Sequence, residues 1–372
     1  MASAGDHQRR QRLVSALRAN GTLHSAPVIA AISAVPRIRF VPAGTTAEDA
    51  YADQALVLTT DPDGKPTSTI SQPSMVALML EQLSARPGDR VLEIGTASGY
   101  TAALIAGMVR PAGRVVTMEW DAALARDAAG RLAGRWPEVT VLTGDGWEGA
   151  PQQAPFGRVH VTVGVDDLSP HWLQQLTDGG LLVVPITVRR PAVELSVVFE
   201  RRGAELVSLS VRPCGFVRLR GPHAAPSGAV ALDEGGTVLA DWADQAQQQQ
   251  LRSALAGPTV DGGPLESQPQ GWPIRLALEQ SHPLAVLRTA LRPAVLPGLY
   301  DPQGGGLAVV DSDRLTGYGH RGALQLLRAQ LAGSEPLPPL SLRLTARLAD
   351  DAPAPGRWLV RKQHFSYSID TD

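Results

Sequence analysis

The stretch VLEIGTASGYTAALI, residues 91–105, decides the fold predicted for this chain. It starts with a short apolar run that predicts a strand ending at Ile94. Gly95 and Gly99 then allow a tight turn and a close approach of the backbone to a ligand, and a helix is predicted to begin near Tyr100. The N-terminus of that helix would face the ligand.

The spacing of these glycines does not match the dinucleotide fingerprint G-x-G-x-x-G, because position 97 is alanine. A nicotinamide-dependent oxidoreductase, which an α/β sheet alone would allow, is therefore disfavoured. Glu93 precedes the first glycine by two residues. A carboxylate at this place suits a ligand that carries an ammonium group and a sulfonium.

Two further strand ends carry acidic residues. Glu119 ends the strand VVTME, 26 residues after Glu93, where a carboxylate can accept hydrogen bonds from both hydroxyls of a ribose. The motif TGDGW follows the third strand and brings Asp145 and Gly146 to a position where an adenine amino group can be recognised. Together the three strand ends predict an S-adenosylmethionine pocket at the carboxyl ends of parallel strands.

Each of these residues also has a purely structural interpretation. A glutamate before a glycine turn, or at a strand end, can simply support the turn. Thr96 and Ser98, within the same turn, either contact the ligand or only satisfy backbone amides. Three strand ends at the expected intervals favour the ligand site.

The surrounding sequence supports an α/β fold. Short runs rich in β-branched residues alternate with helical periodicity from Val91 to Ile186, which predicts a parallel sheet covered on both faces. Residues 192–212 predict an antiparallel hairpin at the edge of that sheet. After Gly221 the chain becomes rich in glycine and proline and predicts a smaller α+β unit. We therefore expect two domains, 1–221 and 222–372.

Composition narrows the class of protein. The chain has 372 residues, 44% of them hydrophobic, with a net charge of −2 and no basic stripe, so neither nucleic acid nor a membrane is an expected partner. No secretory signal is recognised, and the single cysteine, Cys214, excludes an internal disulfide framework. No metal motif of the H-E-x-x-H kind is found. A cytoplasmic location is expected.

At this point several motifs resemble those of one family in order and spacing. They are VPRIRFVP (35–42), AYADQAL (50–56), STISQPSMVALMLEQL (68–83), VLEIGTASGY (91–100), GDGWEGAPQQAPFGRVHVT (144–162), QLTDGGLLVVP (175–185) and GFVRLRG (215–221). The chain thus resembles protein-L-isoaspartate O-methyltransferases through about residue 221. The resemblance implies a Rossmann-like class I methyltransferase that esterifies a carboxylate of a peptide or protein. S-adenosylmethionine would be the methyl donor and S-adenosylhomocysteine the product, and the ester can cyclise to a succinimide.

The segment TSTISQPSM, residues 67–75, precedes an apolar helical pattern. Ser71 is predicted as its N-cap and Pro73 as part of its first turn, so the helix start is an anion site. The resemblance places the Ser71 hydroxyl beside the acceptor carboxylate as the catalytic residue, with Thr69 and Gln72 as weaker neighbours. An ionised carboxylate needs no general base, so none is sought.

Three histidine and tryptophan positions have mainly structural interpretations. His160, within a predicted strand, is interpreted as a satisfied core histidine rather than a catalyst. His171 and Trp172 belong to a predicted helix start and could border the cleft.

Two departures from the family pattern bear on the acceptor. The segment LTTDPDGKPTST, residues 58–69, is longer and more polar than the short turn expected there, and residues 222–372 have no counterpart in the short repair enzymes. The extension resembles that of actinobacterial members associated with ribosomally synthesised peptide (RiPP) pathways. We therefore expect an aspartyl O-methyltransferase for a modified peptide, whose ester becomes an aspartimide, with the extension recognising the substrate.

Two alternatives remain open. One is repair of L-isoaspartyl residues in damaged proteins, which shares the same chemistry. The other is a non-catalytic peptide-binding module that keeps S-adenosylmethionine as a structural ligand. Catalytic turnover would exclude the non-catalytic module. The identity of the methylated acceptor would distinguish repair from the modification of a dedicated peptide.

Overall fold

A computed structural model of the chain describes residues 4–62, 64–189, 194–224, 229–231, 237–240, 243–265, 268–279, 284–288 and 295–371. Its α-helices are α1 (Ala4–Ala19), α2 (Ala26–Ala34), α3 (Ala47–Tyr51), α4 (Pro73–Leu83), α5 (Tyr100–Val109), α6 (Ala122–Leu132), α7 (Pro170–Gln175), α8 (Gln245–Ala256), α9 (Trp272–Glu279) and α10 (Gly322–Gly333). Short 3-10 helices span Arg37–Arg39, Pro151–Gln153 and Pro339–Ser341.

The strands of the first part of the chain are β1 (Leu56–Thr60), β2 (Pro66–Ile70), β3 (Arg90–Ile94), β4 (Arg114–Glu119), β5 (Val139–Thr143), β6 (Phe156–Val161), β7 (Leu176–Ile186), β8 (Glu194–Arg202) and β9 (Glu205–Cys214). Those of the second part are β10 (Ala229–Ala231), β11 (Thr237–Leu239), β12 (Thr259–Pro264), β13 (Leu284–Arg288), β14 (Val295–Asp301), β15 (Gly306–Asp311), β16 (Arg314–Tyr318), β17 (Leu342–Leu348), β18 (Trp358–Arg361) and β19 (Phe365–Thr371).

The larger sheet has the order β18-β19-β17-β9-β8-β7-β6-β3-β4-β5. Strands β5, β4, β3, β6 and β7 are parallel, and β8 and β9 follow as an antiparallel hairpin. The predicted Rossmann-like sheet with an added hairpin is confirmed. Three C-terminal strands then pair beyond that hairpin.

Residues of the parallel strands alternate between two hydrophobic cores. Leu92 and Ile94 of β3 belong to the core on one face, whereas Val91 belongs to the core on the other face, which α4 and α5 cover. Because both faces are covered, the strands are apolar along nearly their whole length. Because these strands are parallel, their carboxyl ends lie at the same edge of the sheet.

The smaller sheet is antiparallel, with the order β10-β11-β13-β14-β15-β16-β12. Leu251 of α8 packs into the core on one of its faces, and Leu324 and Leu327 of α10 pack into the core on the other. This sheet and its helices form the additional C-terminal unit that the sequence predicts.

The C-terminal strands return to the larger sheet. Thr345 and Ala346 of β17 pair with Val207 and Leu206 of β9, and the Leu344 N–H donates to Ser208 Oγ at 2.8 Å. Residues 342–371 thus extend the sheet of the predicted first domain. The division at 221/222 and the recognition role of the extension stay predictions.

Helix α9 connects the two cores. Its residues Ile274 and Leu278 pack into the core of the larger sheet, while Trp272 and Leu276 pack into the core of the smaller one. One helix with two apolar faces holds the two sheets together. Among the described residues, no helix is long and apolar enough to cross a bilayer.

Candidate functional site

A cleft of about 690 Å³, open to solvent, lies at the carboxyl ends of the parallel strands. The lining residues are 67–71, 94–98, 100–101, 118–120, 146, 162–163, 217–218 and 220. The glycine turn after β3 and the segment before α4 therefore face each other across one cavity.

The turn after β3 needs its glycines. Gly95 has φ +98°, and a Cβ there would lie 2.6 Å from Thr162 Oγ1. The Thr162 hydroxyl lies within hydrogen-bond distance of two carbonyls, those of Ile94 (2.9 Å) and Gly95 (2.8 Å). Gly99 has φ +87° and is the N-cap of α5 without a side-chain cap bond. The positive end of that helix is consequently open to the cleft.

Glu119 lines the cleft at the end of β4, as the sequence predicts. Its Oε2 accepts the Ala97 N–H at 2.8 Å, and its Oε1 accepts the Asp121 N–H at 3.1 Å. Arg220 Nη2 is 3.5 Å from the same Oε1. Because each carboxylate oxygen has two lone pairs, Glu119 keeps acceptor capacity for ligand hydroxyls.

Glu93 is fully buried and does not line the cleft. Its Oε2 accepts the Thr117 hydroxyl at 2.6 Å, and Thr117 Oγ1 lies 2.7 Å from Thr96 Oγ1, which does line the cleft. Burial raises the pKa of Glu93 to about 8, against the Thr117 hydrogen bond and with help from Glu119. Its contact with the cleft runs through two threonines.

The other predicted cofactor residues divide into two groups. Ser98 and Gly146 line the cleft, and a Cβ at Gly146 would lie 2.6 Å from Ile94 Cγ2. Asp145 does not line it, and its Oδ1 accepts the Trp147 N–H at 2.9 Å. Direct recognition of an adenine amino group by Asp145 therefore stays a prediction.

The acceptor end of the cleft is formed by β2 and the residues that follow it. Thr69 and Ser71 line the cleft, and among the described residues the Ser71 hydroxyl has no hydrogen-bond partner. Gln72 does not line the cleft, and its Nε2 donates to Ser74 Oγ at 2.7 Å. Ser71 is thus the better placed of the predicted acceptor residues.

The predicted cap of α4 is wrong by one residue. The N-cap is Gln72, without a side-chain cap bond, although Pro73 is in the first turn as predicted. The Ser74 N–H is bound by Asp53 Oδ1 at 2.8 Å, a residue 21 positions earlier in the chain. A carboxylate of the protein already occupies part of the expected anion site.

Two arginines and a tryptophan of the cleft were not predicted. Arg218 lies 3.1 Å from Asp166, and Arg220 pairs with Glu119 and Asp121. Trp120 is 45% exposed, and a Cβ at Gly221 would meet its ring at 2.9 Å. The motif GFVRLRG was recognised as a unit, but which of its residues face the cleft depends on its long-range bridge to Gly164.

The predicted positions His160, His171 and Trp172 lie outside the cleft lining. His160 is buried as predicted, but it is not satisfied, since neither ring nitrogen has a partner among the described residues. Burial lowers its pKa to about 3. His171 and Trp172 lie in the short helix α7, where His171 Nε2 is 3.3 Å from Glu148 Oε2.

Comparison with known proteins decides the family. A family model described as protein-L-isoaspartate(D-aspartate) O-methyltransferase matches residues 8–223. The chain belongs to this family. A protein-L-isoaspartate O-methyltransferase of Methanopyrus kandleri is 41% identical over 214 residues, covering 57% of this chain and 91% of its own. One from Rhodospirillum rubrum is 42% identical over 215 residues, covering 57% and 92%.

One solved structure extends the comparison to nearly the whole chain. A structure named protein-L-isoaspartate O-methyltransferase is similar with a TM-score of 0.58 and 24% identity, and covers 97% of this chain and 99% of its own. A candidate enzyme of the same kind from Plasmodium falciparum, solved with S-adenosyl-L-homocysteine, has a TM-score of 0.49 and 18% identity and covers 57% of this chain and 98% of its own.

Family membership makes the protein an S-adenosylmethionine-dependent carboxyl methyltransferase. The donor set of the cleft fits this cofactor. Glu119 offers acceptors for ribose hydroxyls, and the uncapped start of α5 suits the carboxylate of the amino-acid portion. The individual contacts predicted for each residue stay predictions.

Proposed function

We propose that this protein methylates the α-carboxylate of L-isoaspartyl residues in peptides and proteins. The observation that carries the proposal is the shared cleft, in which the unpartnered Ser71 hydroxyl and the carboxylate of Glu119 line one cavity. The family supplies the reaction class, and the two ends of the cleft supply separate places for acceptor and cofactor. We therefore rank repair of isoaspartyl residues above methylation of a dedicated peptide substrate.

The cofactor end relies on residues of the glycine turn. Glu119 would accept the ribose hydroxyls, and the start of α5 would hold the carboxylate of the amino-acid portion. Thr96 and Ser98 would contact the ligand from the turn, and Gly146 would allow the base to approach the backbone. When bound, the cofactor supplies an electrophilic methyl group.

The acceptor end has only to hold a carboxylate. A carboxylic acid with a pKa of about 3.9 is ionised at neutral pH, so no general base is required. Ser71 would donate a hydrogen bond that orients one carboxylate oxygen, and Thr69 would line the same side. Orientation at near-attack distance and removal of water then account for the rate.

A second candidate is methylation of an aspartyl side chain in a modified RiPP precursor, leading to an aspartimide. It is favoured by the polar segment 58–69, which forms most of the β1–β2 hairpin and brings residues 67–69 to the acceptor end of the cleft. The C-terminal extension gives no further support to this second candidate. A protein named protein-L-isoaspartate O-methyltransferase matches the fold of the whole chain, extension included.

Two isomeric peptides test the proposal. A peptide with one L-isoaspartyl residue and the same peptide with L-aspartate would be incubated with the protein and S-adenosylmethionine, and methyl ester and succinimide followed by mass spectrometry. We expect modification of the isoaspartyl isomer and little of the aspartyl isomer. Modification of a constrained aspartyl peptide alone would favour the second candidate.

A further inference from the structure

Arg218 brings a positive charge to the wall of the cleft. It lines the cavity, and its side chain is 38% exposed. Its Nη1 lies 3.1 Å from Asp166 Oδ1, 3.1 Å from Thr187 Oγ1 and 3.4 Å from Glu194 Oε1. Among the described residues, the hydrogen bonds of this side chain all use Nη1. The Nε–H and Nη2–H donors lie on one edge of the guanidinium, which can bind both oxygens of a carboxylate.

The partners of Arg218 place it away from the ribose end of the cleft. Asp166 follows β6, and Thr187 directly follows β7. Glu119 ends β4, which lies on the other side of β3 in the sheet. Arg218 therefore serves the part of the cleft that the cofactor ribose does not use, and shares this cavity with Ser71.

Lys362 contacts the same two partners from behind the cleft wall. This lysine lies between β18 and β19, in the C-terminal extension. Its Nζ donates to the carbonyl of Asp166 and, at 2.6 Å, to the carbonyl of Thr187. The side chains of Asp166 and Thr187 hold Arg218, whereas their carbonyls are held by Lys362. Two residues thus link a lysine of the extension to an arginine of the cleft.

A second contact attaches the neighbouring residue to the extension. The Tyr367 hydroxyl donates to Asp167 Oδ1 at 2.6 Å, and the His364 N–H donates to Asp167 Oδ2 at 2.7 Å. Burial and the Asp167 carboxylate raise the pKa of Tyr367 well above its usual range, so the phenol keeps its proton. The segment that carries Asp166 is consequently fixed to β19.

The charges of this group depend on Lys362. Asp166 and Glu194 are two acids beside Arg218, and by formal charge they outweigh the arginine alone. Lys362 adds the second base, so that the two acids and the two bases cancel. Without Lys362, an approaching carboxylate would meet a net negative group, which repels it.

We propose that Arg218 binds a carboxylate of the acceptor peptide, and that Lys362 positions Arg218 through Asp166 and Thr187. The ligand is an anionic group of the peptide, either the isoaspartyl α-carboxylate itself or the side chain of an acidic residue next to it. Arg218 is the contact residue, and Lys362 is a positioning residue. This inference rests on the proposed function, because it assigns the acceptor peptide to this cleft.

Initial rates with two peptides test the contact. The peptides carry one L-isoaspartyl residue and differ only in having Glu or Gln beside it. We expect Arg218→Gln in the full-length protein to raise the KM of the Glu peptide at least about tenfold, because a charge-assisted contact is lost. The Kd of S-adenosylhomocysteine should stay the same.

The two peptides also identify the carboxylate. A rise in KM confined to the Glu peptide would assign the contact to the neighbouring acidic residue, and an equal rise for both would assign it to the isoaspartyl α-carboxylate. An unchanged KM for both peptides would overturn the proposal. Absence of methylation of either peptide by the wild type would instead contradict the proposed function.

A double-mutant cycle tests the positioning role. Lys362→Met should raise the same KM by a smaller factor than Arg218→Gln, and Lys362→Arg should restore most of the affinity. Arg361→Met changes the exposed basic residue directly before Lys362 and should have no effect on KM. Residues that act through one another are not additive, so Lys362→Met should add little in the Arg218→Gln background. Equal effects in both backgrounds would show that Lys362 does not act through Arg218.

Discussion

The backbone N–H of Ala97 donates a hydrogen bond to Glu119 Oε2 at 2.8 Å, although Ala97 has the left-handed φ of +49°. This conformation costs a non-glycine residue roughly 1–2 kcal/mol. A hydrogen bond to a charged group contributes roughly 1.5–3 kcal/mol, which can offset that cost. The glycine turn and the strand-end carboxylate therefore stabilise each other.

Ala97→Gly should stabilise the fold. Glycine adopts positive φ without the steric cost, and its greater freedom in the unfolded state reduces the gain, so we expect about 0.5–1 kcal/mol in the free energy of unfolding. Urea unfolding of the wild type and the variant measures this difference in the free energy of unfolding. The control Ala129→Gly, at an exposed position of α6, should instead cost about 1 kcal/mol. Equal effects of the two changes would contradict the strain at Ala97.

Glu119→Ala should weaken cofactor binding. It removes the acceptor for the ribose and frees the amides of Ala97 and Asp121, so we expect the Kd of S-adenosylhomocysteine to rise at least about tenfold, or about 1.4 kcal/mol. Calorimetry measures this change. Asp127→Ala, on the exposed side of α6, is the control. An unchanged Kd would exclude Glu119 as a ligand contact.

Ser71→Ala should lower turnover without affecting the cofactor. Loss of one hydrogen bond to the acceptor carboxylate predicts a kcat about tenfold lower, while the Kd of S-adenosylhomocysteine stays the same. The control is Ser74→Ala, because Ser74 lies in the same segment but outside the cleft lining. If the two variants turned over equally well, Ser71 would not hold the acceptor.

Burial of Glu93 should make stability depend on pH. The pKa of Glu93 is raised from 4.5 to about 8, so the folded state retains a proton that the unfolded state loses. Stability therefore falls as pH rises from 4.5 to about 8, by at most about 1.4 kcal/mol per pH unit, and levels off above that.

The titration of His160 changes stability with pH in the opposite direction. Its pKa is lowered from 6.5 to about 3, so its contribution to stability is lost as pH falls below 6.5. The two slopes oppose each other between pH 4.5 and 6.5. Urea unfolding across pH 5–9 should show a decline above pH 6.5 in the wild type that Glu93→Gln removes. If stability still declined above pH 6.5 in this variant, the decline would belong to another titratable group.

Phe365→Ala should destabilise the larger sheet. Phe365 begins β19 and is fully buried in the core of that sheet, so its loss should cost about 3–5 kcal/mol. Leu359→Ala on β18 is the control, because Leu359 is 39% exposed. A small and similar loss of stability in the two variants would mean that the C-terminal strands do not fold cooperatively with the sheet. For the same reason a chain ending at Gly221 should lose solubility.

The sequence predicts the features that local order determines. The strand, turn and helix of residues 91–105 are contiguous, and Glu119 is recognised because it ends a strand. The sequence does not show that the side chain of Glu93 lies on a buried face of the sheet. It alternates with Leu92 and Ile94 along β3, and only the covering helices make its face a buried one.

Contacts between distant residues could not be predicted from one sequence. Asp53 reaches the Ser74 amide from 21 residues away, and β17 pairs with β9 across more than a hundred residues. The position of Arg220 beside Glu119 likewise depends on how residues 217–221 return to the cleft. Pairings of this kind are set by the packing of the whole sheet.

The most direct test of the site is a crystal structure of the protein with S-adenosylhomocysteine and an L-isoaspartyl peptide. Our account predicts the isoaspartyl carboxylate within hydrogen-bond distance of Ser71 Oγ and the ribose hydroxyls on Glu119. A nucleoside bound away from Glu119, or an acceptor carboxylate that does not contact Ser71, would contradict it.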